Sequence, residues 1–346
     1  MKKISLAGIA FVMLIVLISS VQGYAGELHD AAINGDIVKV RQLIEKGMDV
    51  DTKDQFQETP LHEAASYGKT DVAKLLIEKG ADVNAKDQFQ HTPLHDAASR
   101  GNTDVAKLLI EKGTDVDAKD QFQETPLHEA ASYGKTDVAK LLIEKGADVN
   151  VKDQYQDTPL HDAASCGNIG VAKLLIEKGA DVNARNQNQD TPLHGAASRG
   201  NTDVAKLLIE KGADVNAKGY NQDTPLHDAA SYGKTDVAKL LIEKGADVNA
   251  KGYNQDTPLH DAASYGKTDV AKLLIEKGAD VNAKDQFQDT PLHDAASCGN
   301  TDVAKLLIER GADVNVKDNY GKTALDMAEA SHKPDIVSIL RAAVIR

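Results

Sequence analysis

Two short apolar bursts alternate with polar stretches along nearly the whole chain, and the spacing inside each burst is helical. In residues 54–86, DQFQETPLHEAASYGKTDVAKLLIEKGADVNAK, the residues Leu61, Ala64 and Ala65 fall three and four apart, on one helix face. Thr59 and Pro60 start that helix: the hydroxyl can cap an orphan N–H, and the ring needs no N–H at the first position. Gly68 is placed to end it as a left-handed cap. A second helix is predicted over roughly Thr70–Lys79, with Val72, Leu75, Leu76 and Ile77 inward and Asp71, Lys74 and Glu78 outward. Gly80 closes it, and residues 81–86 lead to the next polar tip. Helices this short cannot bury their apolar faces alone, so the pattern demands stacked neighbours.

The Thr-Pro-Leu-His tetrad begins at Thr59, Thr92, Thr125, Thr158, Thr191, Thr224, Thr257 and Thr290, each step being 33 residues. One step earlier lies Leu28-His29-Asp30-Ala31-Ala32, and one step later Thr323-Ala324-Leu325-Asp326. Residues 219–251 and 252–284 are identical, so units have been duplicated within the chain. A 33-residue period carrying Thr-Pro-Leu-His-x-Ala, with Gly-Ala-Asp-Val-Asn-Ala at the end of each unit, closely resembles the ankyrin repeat. The resemblance implies an all-α solenoid of about ten helix-turn-helix units with short β-hairpin fingers, whose usual activity is binding other proteins. Its boundaries are a capping repeat at 26–53, eight full repeats at 54–317 and a capping repeat at 318–346. Where the family hairpin has Gly, this chain has Gln57, Gln90, Gln123, Gln156, Gln189, Gln222, Gln255 and Gln288, and only Gly321 keeps it. Gln disfavours φ > 0, so the fingers are expected to turn differently from the family norm.

The first 25 residues stand apart. Lys2 and Lys3 precede an apolar run from Ile4 to Ile18, followed by small residues around Val21, Gly23 and Ala25, the pattern of a cleaved signal peptide. The alternative is an uncleaved membrane anchor over residues 4–21. The expected destination is the periplasm or the medium, or the membrane if the anchor is kept. Net charge is −13, and losing 1–25 removes two lysines and no acid. That balance excludes a nucleic-acid backbone as the main partner and suits a basic protein or peptide.

Chemistry that looks catalytic dissolves on inspection. His62-Glu63 would begin a zinc-protease helix, but the second histidine it needs is Ser66. Gly68-Lys69-Thr70 would end a phosphate loop, but the required earlier glycine is Glu63. The repeated histidines from His29 to His293 come one per layer, about 8–10 Å apart, too far to converge on one metal. They are expected to tie each unit to its neighbour. His91 precedes His95 by four, but Pro93 and the helix cap separate them. Cys166 and Cys298 stand four layers apart, beyond disulfide reach, as free thiols. No catalysis, cofactor, metal or small-molecule substrate is expected.

The positions that vary between units are those that ankyrin proteins commonly use for target contacts. Aromatics make up 4% of the chain, with no Trp. Outside the leader they occur only at the finger tips (Phe56, Phe89, Phe122, Tyr155, Tyr220, Tyr253, Phe287, Tyr320) and at first-helix ends (Tyr67, Tyr133, Tyr232, Tyr265). Arg100 and Arg199 share the second position. Aromatics and Arg are favoured interface anchors. Interleaved with them are Glu63, Asp96, Glu129, Asp162, Asp228, Asp261 and Asp294, which make an acidic groove for a Lys- or Arg-bearing partner met by a monomer. The rival reading has the tip aromatics packing on neighbouring fingers and binding nothing. A structural spacer, membrane-tethered or in the envelope, is the alternative function.

Overall fold

The computed structural model describes residues 26–219 and 221–344. The expected leader or anchor at 1–25 and the tip residue Tyr220 therefore lie outside the described residues. Among the described residues there are twenty α-helices, one 3-10 turn and no strand, and no helix is long and apolar enough to cross a membrane. They fall into two units, one running to residue 126 with residues 144–146, the other comprising 127–143 and 147 onward.

Within each unit the same pair recurs. A short helix such as Pro60–Ser66 is followed by one such as Thr70–Glu78, and both pack on their counterparts in the next layer. Thr59 holds extended backbone before Pro60, and its N–H donates to His62 Nδ1 (3.1 Å). Gly68 at φ +65° reverses the chain, and Lys69 N–H closes on Ala64 O (2.8 Å). Leu61, Ala64, Ala65, Val72, Ala73 and Leu76 are fully buried, while Ile77, expected inward, is only half-buried at the edge of the stripe. Alanine at two core positions of each first helix lets successive helices approach closely. In several layers an asparagine also reaches back to the layer before. Asn102 Nδ2 donates to Ala65 O (2.7 Å) and Ser66 O (2.9 Å), closing that helix's orphan carbonyls. In the second unit Asn168, Asn201 and Asn300 do the same.

The fingers are clasped turns without strands. Asp54 Oδ1 accepts from Phe56 N–H (2.8 Å) and Glu58 N–H (2.9 Å), and one backbone bond, Gln88 N–H to Phe56 O (3.0 Å), joins finger to finger. One bond per finger cannot make a ladder. The expectation that glutamine would change the turn is not met: all eight glutamines, Gln57 to Gln288, sit at φ between +58° and +67°. Two backbone bonds close each turn, Asp54 N–H to Glu58 O (3.0 Å) and Gln57 N–H to Asp54 O (3.1 Å), and they recur at Gln222 and Gln255, where Gly219 and Gly252 replace the aspartate, so backbone closure holds a side chain where glycine is favoured. A left-handed non-glycine residue costs about 1–2 kcal/mol, partly offset by the chain entropy that glycine adds to the unfolded state. Replacing Gln57, Gln90 and Gln123 by Gly together is therefore expected to raise stability by about 2 kcal/mol. Urea denaturation checks this, and an unchanged midpoint would show that the turn carries no strain.

Candidate protein-binding surface

The repeated histidines are cap and rivet at once. In the layer of Pro258–Ser264, Thr257 N–H donates to His260 Nδ1 (3.1 Å), the Thr257 hydroxyl lies 2.8 Å from the same nitrogen, and Nε2 meets Asp289 O of the next layer (3.3 Å). Because Nδ1 must accept from an amide, the proton sits on Nε2 and donates to that carbonyl. The bridge recurs in the first unit from His62 to His91 O and from His95 to Glu124 O, and in the second from His161 to Asp190 O. Both nitrogens are engaged, so these rings hold layers together. Burial pushes His62 and His260 down to about 4 and His95 to about 3, which keeps them neutral.

His91 lies outside the helix that carries His95, as its separation by Pro93 predicts, yet the two rings meet. The finger folds back over the helix start, so its ring stacks on His95 with centroids 5.4 Å apart, and its Nε2 lies 3.2 Å from Asp120 Oδ2. Sequence distance across a proline and a cap concealed this contact.

The residues expected to contact a partner divide by depth. Among the tip aromatics Phe89, Tyr155, Tyr253 and Phe287 are exposed, and Phe56 and Phe122 are half-buried. Among the helix ends Tyr67, Tyr232, Tyr265, Arg100 and Arg199 are exposed, and Tyr133 is half-buried. The acids lie deeper: Glu63, Asp96, Glu129, Asp162, Asp261 and Asp294 are half-buried, and Asp228 is buried. Cys166 and Cys298 are exposed free thiols.

That depth changes the groove's charge. Burial, then neighbouring acids, push the carboxyls of Asp96, Asp261 and Asp294 well above the usual carboxylate range. Burial raises Asp256 to about 6, reinforced by Asp285 and Asp223. Glu58 and Glu63 share a side-chain hydrogen bond, and burial raises both. A fully anionic groove is thus not what forms near neutral pH, because desolvation keeps protons on several of its acids. One trio among the described residues, Asp54, Glu58 and Glu63, brings three potential ligand oxygens within 4.8 Å of one another. Mutual repulsion adds to burial in raising Glu58 and Glu63, and His91 partly offsets it at Glu58.

Comparison with known proteins agrees with this geometry. The family model for ankyrin repeats (3 copies) matches residues 28–120, 112–186, 182–252, 221–285 and 259–344. No curated protein matches the chain. Among solved structures, the crystal structure of the human ASB11 ankyrin repeat domain is similar at 33% identity and a TM-score of 0.58, covering 62% of this chain and 97% of that one.

Proposed function

This chain belongs to the ankyrin-repeat family, and from that premise we propose that it is an exported, non-catalytic scaffold that binds a protein or peptide partner. The observation that carries the reading is the placement of its aromatics. Every described one stands at a finger tip or a first-helix end, and the buried apolar core is built from Leu, Val and Ala with Ile336. Large aromatics left out of a core and repeated layer after layer fit an interface better than a fold requirement. The basic start and apolar run of residues 1–25 support export, with the final compartment the periplasm or the medium. N-terminal sequencing of the mature protein tests this, and a retained residue 1 would turn the reading toward a membrane anchor. The partner test is Phe56→Ala, Phe89→Ala and Phe122→Ala in one chain, followed by crosslinking capture of the native exported protein. The variant is expected to lose at least tenfold of the captured partner. Unchanged capture and phenotype would favour the second reading, a tethered spacer whose length grew by duplications such as that of 219–251 and 252–284.

A further inference from the structure

The second unit carries a row with a chemistry of its own. Asp228 precedes exposed Tyr232 by one helical turn, and Asp261 precedes exposed Tyr265 in the next layer. The tyrosine amides donate to Asp228 O (3.1 Å) and Asp261 O (3.0 Å). Residues four apart share a helix face. Partial burial, then Asp261 and Tyr232, raise the Tyr265 hydroxyl. At the exit of each finger stands a second aspartate, giving the pairs Asp223/Asp228, Asp256/Asp261 and Asp289/Asp294. Asp289 Oδ1 is buried with no hydrogen-bond partner. Facing the row are Lys251 beside Asp256, Asp285 and Asp318 from adjoining fingers, and His293 beside Asp289. Asp261 and Asp294 meet no compensating cation among the groups acting on them.

Each layer thus offers a recessed acid pair, and two successive layers raise a tyrosine beside it. Packed helices are about 8–10 Å apart. A polyproline II segment has three residues per turn and advances about 9 Å in that turn, so every third side chain returns to one side at the layer period. A β-strand returns after about 7 Å, out of step with the layers. An α-helix returns after about 10.5 Å, but its diameter of about 10–12 Å holds it above carboxyls that lie below the tyrosines. Aromatic-lined grooves are also where proline-rich segments dock. Resting on the protein-binding reading above, we propose that this row receives a proline-rich polyproline II segment bearing Lys or Arg at every third position. Each cation enters one layer's aspartate pair, beside the tyrosine wall.

Two labelled peptides of equal charge test this on the full chain by fluorescence anisotropy: four Lys-Pro-Pro triplets, and the same residues with the lysines contiguous. The triplet peptide is expected to bind at least tenfold more tightly. Asp261→Asn with Asp294→Asn should remove that preference, with circular dichroism confirming the fold, and Tyr232→Ala with Tyr265→Ala should weaken binding severalfold. An incoming ammonium replaces protons on the row, so wild-type binding should tighten as pH rises, and the asparagine variant, which keeps only Asp256 and its raised neighbours, should follow less. Equal binding of the two peptides, no binding of either, or an asparagine variant that binds like wild type would overturn the proposal. In each of those cases the general scaffold reading stands or falls separately, on whether the finger-tip phenylalanine variant loses the native partner.

Discussion

The melting temperature of this chain is expected to fall as pH rises from 6.5 to 9, and Asp261→Asn with Asp294→Asn is expected to remove much of that fall. Both carboxyls sit well above their ordinary value in the folded state, first through burial and then through neighbouring acids. The folded chain therefore holds protons that the unfolded chain has released. Stability from such a group is fully present below the unfolded value, near 3.8, and is lost as pH rises through the folded one. The histidines run the other way. His62 and His260, lowered to about 4, and His95, lowered to about 3, contribute stability that is present above about 6.5 and lost as pH falls toward those values. Between pH 4 and 6.5 the two trends oppose each other. Above 6.5 the histidines are neutral in both states, and the loss from raised acids, Glu58 at about 7 and Glu63 at about 8 among them, is unopposed. The double asparagine variant should therefore be stabilised relative to wild type at high pH and almost unchanged at pH 4. The two sites lie in adjacent layers and influence each other, so their effects should not add. Thermal denaturation followed by circular dichroism from pH 4.5 to 9 reads both arms. A wild-type curve that is flat or climbing above pH 6.5 would falsify the picture of protonated, desolvated acids.

What was legible in the sequence was whatever a single repeat decides locally. Thr59-Pro60 starts a helix and Gly68 at φ +65° ends it, whatever packs around them, so helix positions and layer count could be read directly. The site was legible in its residue types and less so in its depth. Whether Asp261 meets water depends on how closely the next layer's finger lies over it, and no single unit encodes that distance. Asn102 looks like an ordinary turn residue until the preceding helix end is seen within 2.7 Å of it. Gln57 at φ +64° is intelligible only once its N–H is seen to close on Asp54 O (3.1 Å) and Asp54 N–H on Glu58 O (3.0 Å). In each case the missing information was a contact between elements that the pattern alone had already placed.

His260→Ala is expected to cost about 2–4 kcal/mol, more than any surface change in this chain, because it orphans a buried helix cap and removes a bond between two layers at once. Thr257 loses the acceptor for its N–H and its hydroxyl, and Asp289 O loses one of two donors, keeping Asp285 N–H (3.0 Å), in a site where His260 is 1% exposed. A buried donor or acceptor left without a partner costs about 1–3 kcal/mol. The chain contains its own control for separating the two jobs. In the last repeat Asp326 stands where the histidine would be, and its Oδ2 accepts from Thr323 N–H (2.8 Å) and from the Thr323 hydroxyl (2.9 Å) without reaching another layer. A short oxygen-bearing side chain can therefore cap the helix but not rivet the stack. His260→Asn should accordingly recover more than half of the loss, restoring the cap while the bond from the next layer's Asp289 O stays broken. Native-state hydrogen exchange distinguishes the contributions: the Thr257 amide should regain protection in the asparagine variant, while amides of the neighbouring layer stay weakened. Because stability in a stacked array is carried by interfaces between neighbours, the alanine variant should also broaden the unfolding transition as the stack separates at that layer. Equal cost for the two variants would mean that the cap contributes nothing, and a cost below about 1 kcal/mol for alanine would return the histidine row to the list of groups in need of a chemical role.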